Sequence, residues 1–254
     1  MDIENRIVAV TGAGHGIGRA LCHAFAQHRA RAVICIDLDF EAAQQTASLI
    51  NGLPVKADVA SEEEIMGVID HAEDVVGPID IFCSNAGILI QGGLDVSNDD
   101  WDRVWRVNVM SHLWAARHLV PRMVARGGGY LLNTASAAGL LNQIGAVSYG
   151  VSKHAAVGLA EWLAMTHGDQ GIRVSCLCPQ GVRTDMIAGH EDHVAAADGI
   201  LEPDVVAEIA IRGIRDETFL ILPHEKVSEY MALKANDYER WLGGMRKLNR
   251  IYQG

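Results

Sequence analysis

Tyr149 and Lys153 lie four residues apart, and Ser136 stands thirteen residues before the tyrosine. On a helix this spacing puts the phenol and the ammonium on one face, about one turn from each other. A free phenol has a pKa near 10 and is a poor base at neutral pH. Bringing it to about 7 needs roughly 4 kcal/mol of differential stabilisation. An ammonium about 4 Å away, at an effective dielectric near 20, supplies a Coulomb attraction of that size before desolvation is set against it. Such a phenol takes a proton from an alcohol or gives one to a developing alkoxide. A serine hydroxyl beside it would donate to the substrate oxygen and hold it in place. A tyrosine four before a lysine is common in helices, so the pair gains its weight from the rest of the chain.

The chain supplies that context at its other end. The apolar run Ile7–Val10 leads straight into Thr11-Gly12-Ala13-Gly14-His15-Gly16-Ile17-Gly18. Small residues let the backbone turn tightly and bring its N–H groups up to a pyrophosphate. A helix starting near Gly16 adds the positive end of its dipole. Gly12, His15, Gly16, Ile17 and Gly18 are therefore the expected phosphate-side contacts of a dinucleotide. Asp37 ends the next apolar run, with Leu38 after it, roughly 20 residues beyond the loop, where an acid meets the adenosine ribose hydroxyls. A carboxylate there repels a 2′-phosphate, and His15 offers little compensation, so NAD is expected over NADP. Asp58-Val59 and Asn85-Ala86-Gly87 close two further runs. The first is placed for the adenine edge. The second lies where ligands gather in open α/β sheets, although Asn85 equally suits a clamp between strands.

These residues need a frame. The runs Ile7–Val10, Val33–Ile36, Leu53–Lys56, Ile79–Ser84, Gly129–Thr134, Ile172–Cys178 and Phe219–Leu222 are short, almost wholly apolar and bounded by turn residues. Such runs fit strands covered on both faces. Ser61–Val75, Trp101–Arg126 and Val147–Met165 between them carry helical spacing. The alternation predicts one α/β domain over 1–254, a doubly wound parallel sheet of Rossmann type with about seven strands and helices on both faces. From Pro223 to Gly254 the alternation stops. Trp241, Leu242, Met245, Leu248, Ile251 and Tyr252 recur at helical spacing, and Gly243-Gly244 weakens the helix they suggest. Docking on the body, docking on a neighbouring subunit and a frayed tail all fit this extension.

Bulk properties exclude several functions. The 254 residues, 49% hydrophobic, suit one large domain. The net charge of −11 speaks against a nucleic-acid groove. Cys22, Cys35, Cys83, Cys176 and Cys178 form no C-x-x-C pair, and most sit in strand-like runs, which fits reduced thiols in the cytoplasm. No secretory signal or apolar stretch of about 18 residues is visible, so no membrane association is expected. His190-Glu191-Asp192-His193 resembles a metal cluster, but tight metal sites need a rigid frame, and no metal is expected.

On Thr11 through Gly18, Asp58-Val59, Asn85-Ala86-Gly87, Asn108, Ser136, Tyr149 and Lys153, the chain resembles the short-chain dehydrogenase/reductase family in its compact branch. The match runs from roughly Ile7 to Thr184. The resemblance implies a strand order 3-2-1-4-5-6-7 and NAD-linked interconversion of a secondary alcohol and a ketone. It also implies a homodimer or homotetramer joined through the long helices. Asn108 would complete a catalytic tetrad by holding a bend in its helix and linking Lys153 to solvent through a water. Pro179, Val182 and Thr184 match the stretch that receives the nicotinamide carboxamide, and Lys153 would also reach the nicotinamide ribose. Residues 184–202 fall where the family carries a lid over its substrate.

Two positions depart from the family. Gln180 stands where a glycine usually follows the proline, and is expected to touch substrate or reshape the nicotinamide pocket. The extension 223–254 replaces a short tail, which puts the usual tetramer contact in doubt. Gln143 and Met186, with Leu140, Leu141, Ile144 and Ile187, point to an apolar pocket with a few amides and to a hydrophobic cyclic or aromatic alcohol. A non-catalytic dinucleotide sensor or scaffold of the same fold is the alternative, and intact Ser136, Tyr149 and Lys153 argue against it. A sugar-nucleotide epimerase or dehydratase shares the tyrosine–lysine pair but is usually a longer chain.

Overall fold

The computed structural model describes residues 1–187 and 198–252. Seven parallel strands form one sheet in the order β3-β2-β1-β4-β5-β6-β7. They are β1 (Ile7–Thr11), β2 (Ala32–Asp37), β3 (Leu53–Lys56), β4 (Ile81–Ser84), β5 (Gly129–Thr134), β6 (Ile172–Leu177) and β7 (Leu220–Ile221). β4 starts two residues later than the expected Ile79. Asp80 intervenes, and its carboxylate accepts from the Ile7 amide at 2.8 Å, tying the start of β1 to the approach of β4.

Ten α-helices accompany the strands among the described residues. They are α1 (Gly16–Gln27), α2 (Phe40–Ile50), α3 (Glu62–Val75), α4 (Asn98–Trp105), α5 (Ser111–Ala125), α6 (Ala138–Leu141), α7 (Val147–His167), α8 (Pro203–Arg215), α9 (Lys226–Asn236) and α10 (Tyr238–Tyr252). Local chemistry sets several boundaries. Asp39 caps α2 by accepting from the amides of Glu41 and Ala42, and Asn51 ends it in the left-handed region. Ser61 caps α3, whose first turn carries Glu62, Glu63 and Glu64 against the helix dipole. Pro203 opens α8.

Strand alternation divides the core into two layers. Ile7 and Ala9 of β1, with Leu131 of β5, face α3, α5 and α7. Val8 and Val10 of β1, with Leu132 of β5, face α1 and α8. Both faces are apolar, as a parallel sheet between helical layers requires. The strand order reverses between β1 and β4, and the carboxyl ends of the strands open a crevice there.

The expected helix over 101–126 is not continuous. α4 ends at Trp105, a π-helical turn spans Arg106–Met110, and α5 follows with Pro121 inside it. π-turns of this kind widen a helix locally and often accompany functional residues. At the carboxyl terminus, α10 runs through Gly243 and Gly244. α9 rests on the body: Val227 is fully buried beside Ala137 and Leu141, and Lys234 donates to the Leu140 carbonyl at 2.7 Å. No helix among the described residues is long and apolar enough to cross a membrane.

Candidate active site

The glycine loop turns between β1 and α1. Gly12 has φ of +66°, and a Cβ there would meet the Ala86 backbone at 3.0 Å. Gly18 lies so close to the Gly12 carbonyl that any side chain would collide with it. These two positions accept only glycine for steric reasons. His15 precedes the helix without a side-chain cap, and the first turn of α1 has no acidic residue. The open N–H groups and the dipole end suit an anion. A dinucleotide phosphate therefore fits the cradle.

Asn85 is a clamp at the end of β4. Its Nδ2 donates to the Thr11 carbonyl at 3.0 Å, and its Oδ1 accepts from Thr134 Oγ1 at 3.1 Å. Thr11 Oγ1 accepts from the amides of Asn85 and Ala86. β1, β4 and β5 are thus fixed to one another where the crevice opens. Asp37 is also partly committed. Its Oδ2 accepts from the Gly14 amide at 2.8 Å and its Oδ1 from the Asp39 amide at 3.0 Å. The carboxylate braces the loop and retains lone pairs toward the cavity. Asp58 Oδ1 accepts from the Ala60 amide and so shapes its own turn.

One cavity of about 1090 Å³ joins these elements to the tyrosine–lysine pair. Gly12, His15, Gly16, Ile17, Gly18, Asp37, Leu38, Asp58, Val59, Asn85, Ala86 and Gly87 line one end. Ser136, Gln143, Tyr149, Lys153, Pro179, Gln180, Val182, Thr184 and Met186 line the other. Among the described residues, Arg103 and Lys153 are its Arg and Lys side chains.

At that second end three side chains converge from two elements. Tyr149 and Lys153 come from α7 and are buried. Ser136, just beyond β5, is held by the Ala138 amide, which donates to its Oγ at 3.1 Å. Lys153 Nζ donates to the Thr134 carbonyl at 3.0 Å and stands 5.7 Å from the centre of the Tyr149 ring. Burial pulls the lysine down to about 8. Burial raises the Tyr149 phenol above the ordinary tyrosine range, and a hydrogen bond with Ser136 opposes that rise. The protein alone therefore keeps the phenol protonated. Desolvation of the phenolate is the cost that the ammonium's attraction has to offset, and burial outweighs the hydrogen bond with Ser136. A further positive charge beside the ring is needed before the phenol acts as a base.

Asn108 sits behind this lining, fully buried in the π-turn. Its Oδ1 accepts from the Ile88 amide and its Nδ2 donates to the Ile88 carbonyl, both at 2.9 Å. Nδ2 also reaches Ser152 Oγ at 3.0 Å. The amide pairs with backbone as a strand neighbour would, and so fastens the widened helix to the segment after β4.

Gln180 is held from two sides. Its amide N–H donates to His224 Nδ1 at 3.2 Å, and its side-chain Nε2 donates to Asp198 Oδ2 at 3.2 Å. Asp198 also accepts from Lys226 Nζ and Tyr230 Oη at 3.0 Å each. This carboxylate ties the segment before α8 to α9. His190-Glu191-Asp192-His193 and the stretch 188–197 lie outside the described residues.

Sequence reasoning missed one wall of the cavity. Tyr230 of α9 and Trp241, Met245 and Leu248 of α10 line it. The i, i+4, i+7 spacing of the last three was visible in the sequence. Which way that face turns was not.

Comparison with known proteins bears on the family and the fold. Estradiol 17-beta-dehydrogenase 11 of Mus musculus is 31% identical over 251 residues, covering 95% of this chain and 83% of that protein. Cyclohexanol dehydrogenase of Acinetobacter sp. (strain SE19) is 32% identical over 196 residues, covering 74% and 78%. A short chain dehydrogenase/reductase from Burkholderia phymatum, solved in complex with NAD, superposes with a TM-score of 0.87 at 27% identity, covering 94% of this chain and 96% of that one. The family described as short chain dehydrogenase matches residues 6–195, and with a seven-stranded sheet in the order 3-2-1-4-5-6-7 the chain belongs to that family.

Proposed function

We propose that the protein oxidises a bulky, largely apolar secondary alcohol to its ketone with NAD. The observation that carries this reading is the convergence of Ser136, Tyr149 and Lys153 on the cavity that the glycine loop opens. When bound, the nicotinamide supplies the hydride-accepting centre and a positive charge beside the phenol. Ser136 holds the substrate oxygen. Tyr149 Oη takes the hydroxyl proton as the C–H bond breaks, and returns it when a ketone is reduced. Lys153 favours the phenolate and binds ribose hydroxyls, while Asn108 fixes the π-turn behind it. Pro179, Val182 and Thr184 border the nicotinamide side, and Gln180 and Met186 border the substrate.

Asp37 supports NAD over NADP. A carboxylate beside the ribose repels a 2′-phosphate, and the lining near it carries no Arg or Lys among the described residues. Wild type is expected to use NAD at least about tenfold better in kcat/KM, which corresponds to about 1.4 kcal/mol. Asp37→Ser narrows that ratio by raising NADP use and, through loss of the brace on Gly14, lowering NAD use. Steady-state kinetics with both cofactors on a panel of ring-bearing secondary alcohols tests the whole reading. Equal NADP use by wild type removes the cofactor assignment, and no turnover of any alcohol or ketone removes the activity.

The apolar wall supports the substrate class. Leu141, Ile144, Met186 and Ile187 line the cavity together with the α10 residues, and two relatives carry the names of ring alcohols, estradiol and cyclohexanol. Trp241→Ala is expected to raise KM about tenfold for multi-ring alcohols and to leave cyclohexanol nearly unchanged, since only the larger substrate reaches the indole. Equal effects on both would separate α10 from specificity.

Exposed Trp105, Val151, Trp162 and Met165 support assembly into a homodimer or homotetramer through α4 and α7. Five free, buried cysteines support a reducing compartment such as the cytoplasm.

A further inference from the structure

Pairing between β6 and β7 stops at the edge of the cavity. The ladder advances by alternate residues: the Cys176 amide donates to the Phe219 carbonyl, and the Cys178 amide to the Ile221 carbonyl at 2.9 Å. The next amide in step is that of Gln180. It donates to a side chain instead, His224 Nδ1, at 3.2 Å. The other ring nitrogen, Nε2, lies 3.1 Å from the Gly181 carbonyl. His224 stands between β7 and α9 and is buried. One imidazole therefore takes over where the ladder ends and holds Gln180 and Gly181 by their backbone.

The partners fix the state of the ring. A backbone N–H only donates, so Nδ1 is bare. A carbonyl only accepts, so Nε2 carries the hydrogen. A proton on Nδ1 would set two donors face to face, and the imidazole is neutral. Burial agrees with this: it keeps His224 below the ordinary histidine range against the Gly181 carbonyl, the Asp198 carboxylate and the Gly199 carbonyl, which favour the cation. An apolar side chain in the same place would leave the Gln180 amide unpaired.

What the ring holds is a wall of the cavity. Pro179, Gln180, Gly181 and Val182 line it, and His224 grips two of them without itself being part of the lining. The Pro179 carbonyl accepts from the Ala137 amide at 2.8 Å and from Ser136 Oγ at 3.4 Å. The gripped stretch is thus bonded, one residue earlier, to the serine that would hold the substrate oxygen.

We propose that His224 is a positioning residue: through both ring nitrogens it seats the stretch Pro179–Val182, and through that stretch it sets the nicotinamide-side contacts and the direction of the Ser136 hydroxyl. The part played at the nicotinamide and at Ser136 rests on the function proposed above. The grip on the backbone does not. His224 belongs to the extension 223–254, so that segment completes the reaction end of the cavity as well as its apolar wall.

The test removes the two hydrogen bonds and keeps the bulk of the ring. In His224→Phe without cofactor, hydrogen exchange at the Gln180 amide, followed by NMR, is expected to speed up at least about tenfold, while the amides of β1 stay within about threefold of wild type. By calorimetric titration, NAD binds about tenfold more weakly, and ADP-ribose, which has the same phosphates and adenosine but no nicotinamide, stays within about threefold. General loosening would weaken both ligands alike. The displaced serine lowers kcat by about tenfold. His224→Asn sets an amide oxygen near the place of Nδ1 and returns exchange and NAD affinity toward wild type. Should His224→Phe not fold, His224→Gln, which keeps a donor for Gly181 and withdraws the acceptor from Gln180, is read the same way. A folded variant with unchanged exchange at Gln180 overturns the grip. Faster exchange with NAD and ADP-ribose affinities that stay put or fall together overturns the positioning role. A wild type that binds both ligands and turns over no alcohol or ketone overturns the proposed activity instead, and His224 is then judged by the two affinities and the exchange.

Discussion

Tyr149→Phe is expected to lower kcat/KM for alcohol oxidation by about 10²- to 10⁴-fold, the range that a positioned general acid–base supplies. The structure says why no neighbour replaces it. Ser136 Oγ is engaged with the Ala138 amide and has no path to ionisation near neutrality. Lys153 is tied to the Thr134 carbonyl. The phenol is thus the group at the cavity that can both reach a substrate oxygen and change its proton count. Removing its oxygen should leave NAD affinity within about threefold, because the glycine loop, Asp37 and the Asn85 clamp are untouched. Cofactor binding followed by protein fluorescence, beside steady-state rates, separates the two effects. Retention of more than about a tenth of wild-type turnover would remove Tyr149 from the chemistry. A parallel collapse of NAD affinity would instead mark it as a binding residue.

The pattern of what the sequence revealed follows from the range of each signal. The loop from Thr11 to Gly18 is local: steric need at Gly12 and Gly18 is written in residue type, and the strand before it is apolar on both faces. Tyr149 and Lys153 are four apart on a helix, so their shared face follows from helix geometry alone. The sign of the tyrosine's shift was not local. It depends on desolvation, which only the packed cavity sets, and burial there outweighs the hydrogen bond with Ser136. The π-turn at Arg106–Met110 was hidden for a similar reason. Asn108 within it pairs with the backbone of Ile88, twenty residues earlier in the chain. α10 showed its apolar spacing plainly, but an amphipathic helix does not announce its partner. The contacts of α9 with Ala137 and Leu141 turn that face toward the substrate end.

Lys153→Met is expected to abolish useful activity while stabilising the fold, because the lysine is held against its solvation. Its side chain is 2% exposed, and burial lowers it from 10.5 to about 8. Between these two values the unfolded chain binds the proton that the folded one has released, so stability rises with pH there. Below about 8 both states are protonated and the full penalty applies; above 10.5 it has gone. The shift corresponds to an order of 3 kcal/mol. Loss of the hydrogen bond to the Thr134 carbonyl subtracts about 1 kcal/mol or more from the gain. A net gain on the order of 1–2 kcal/mol at neutral pH should remain, together with a fall in kcat/KM of about 10² or more. Urea unfolding of wild type and variant, both without cofactor, at pH values from 7 to about 10.5 isolates the lysine, since the remaining groups are shared by the pair. Parallel stability curves across that window would mean that the ammonium is not penalised in the fold. The phenol would then sit beside a fully solvated cation, and a burial-driven balance between Tyr149 and Lys153 would no longer account for the site.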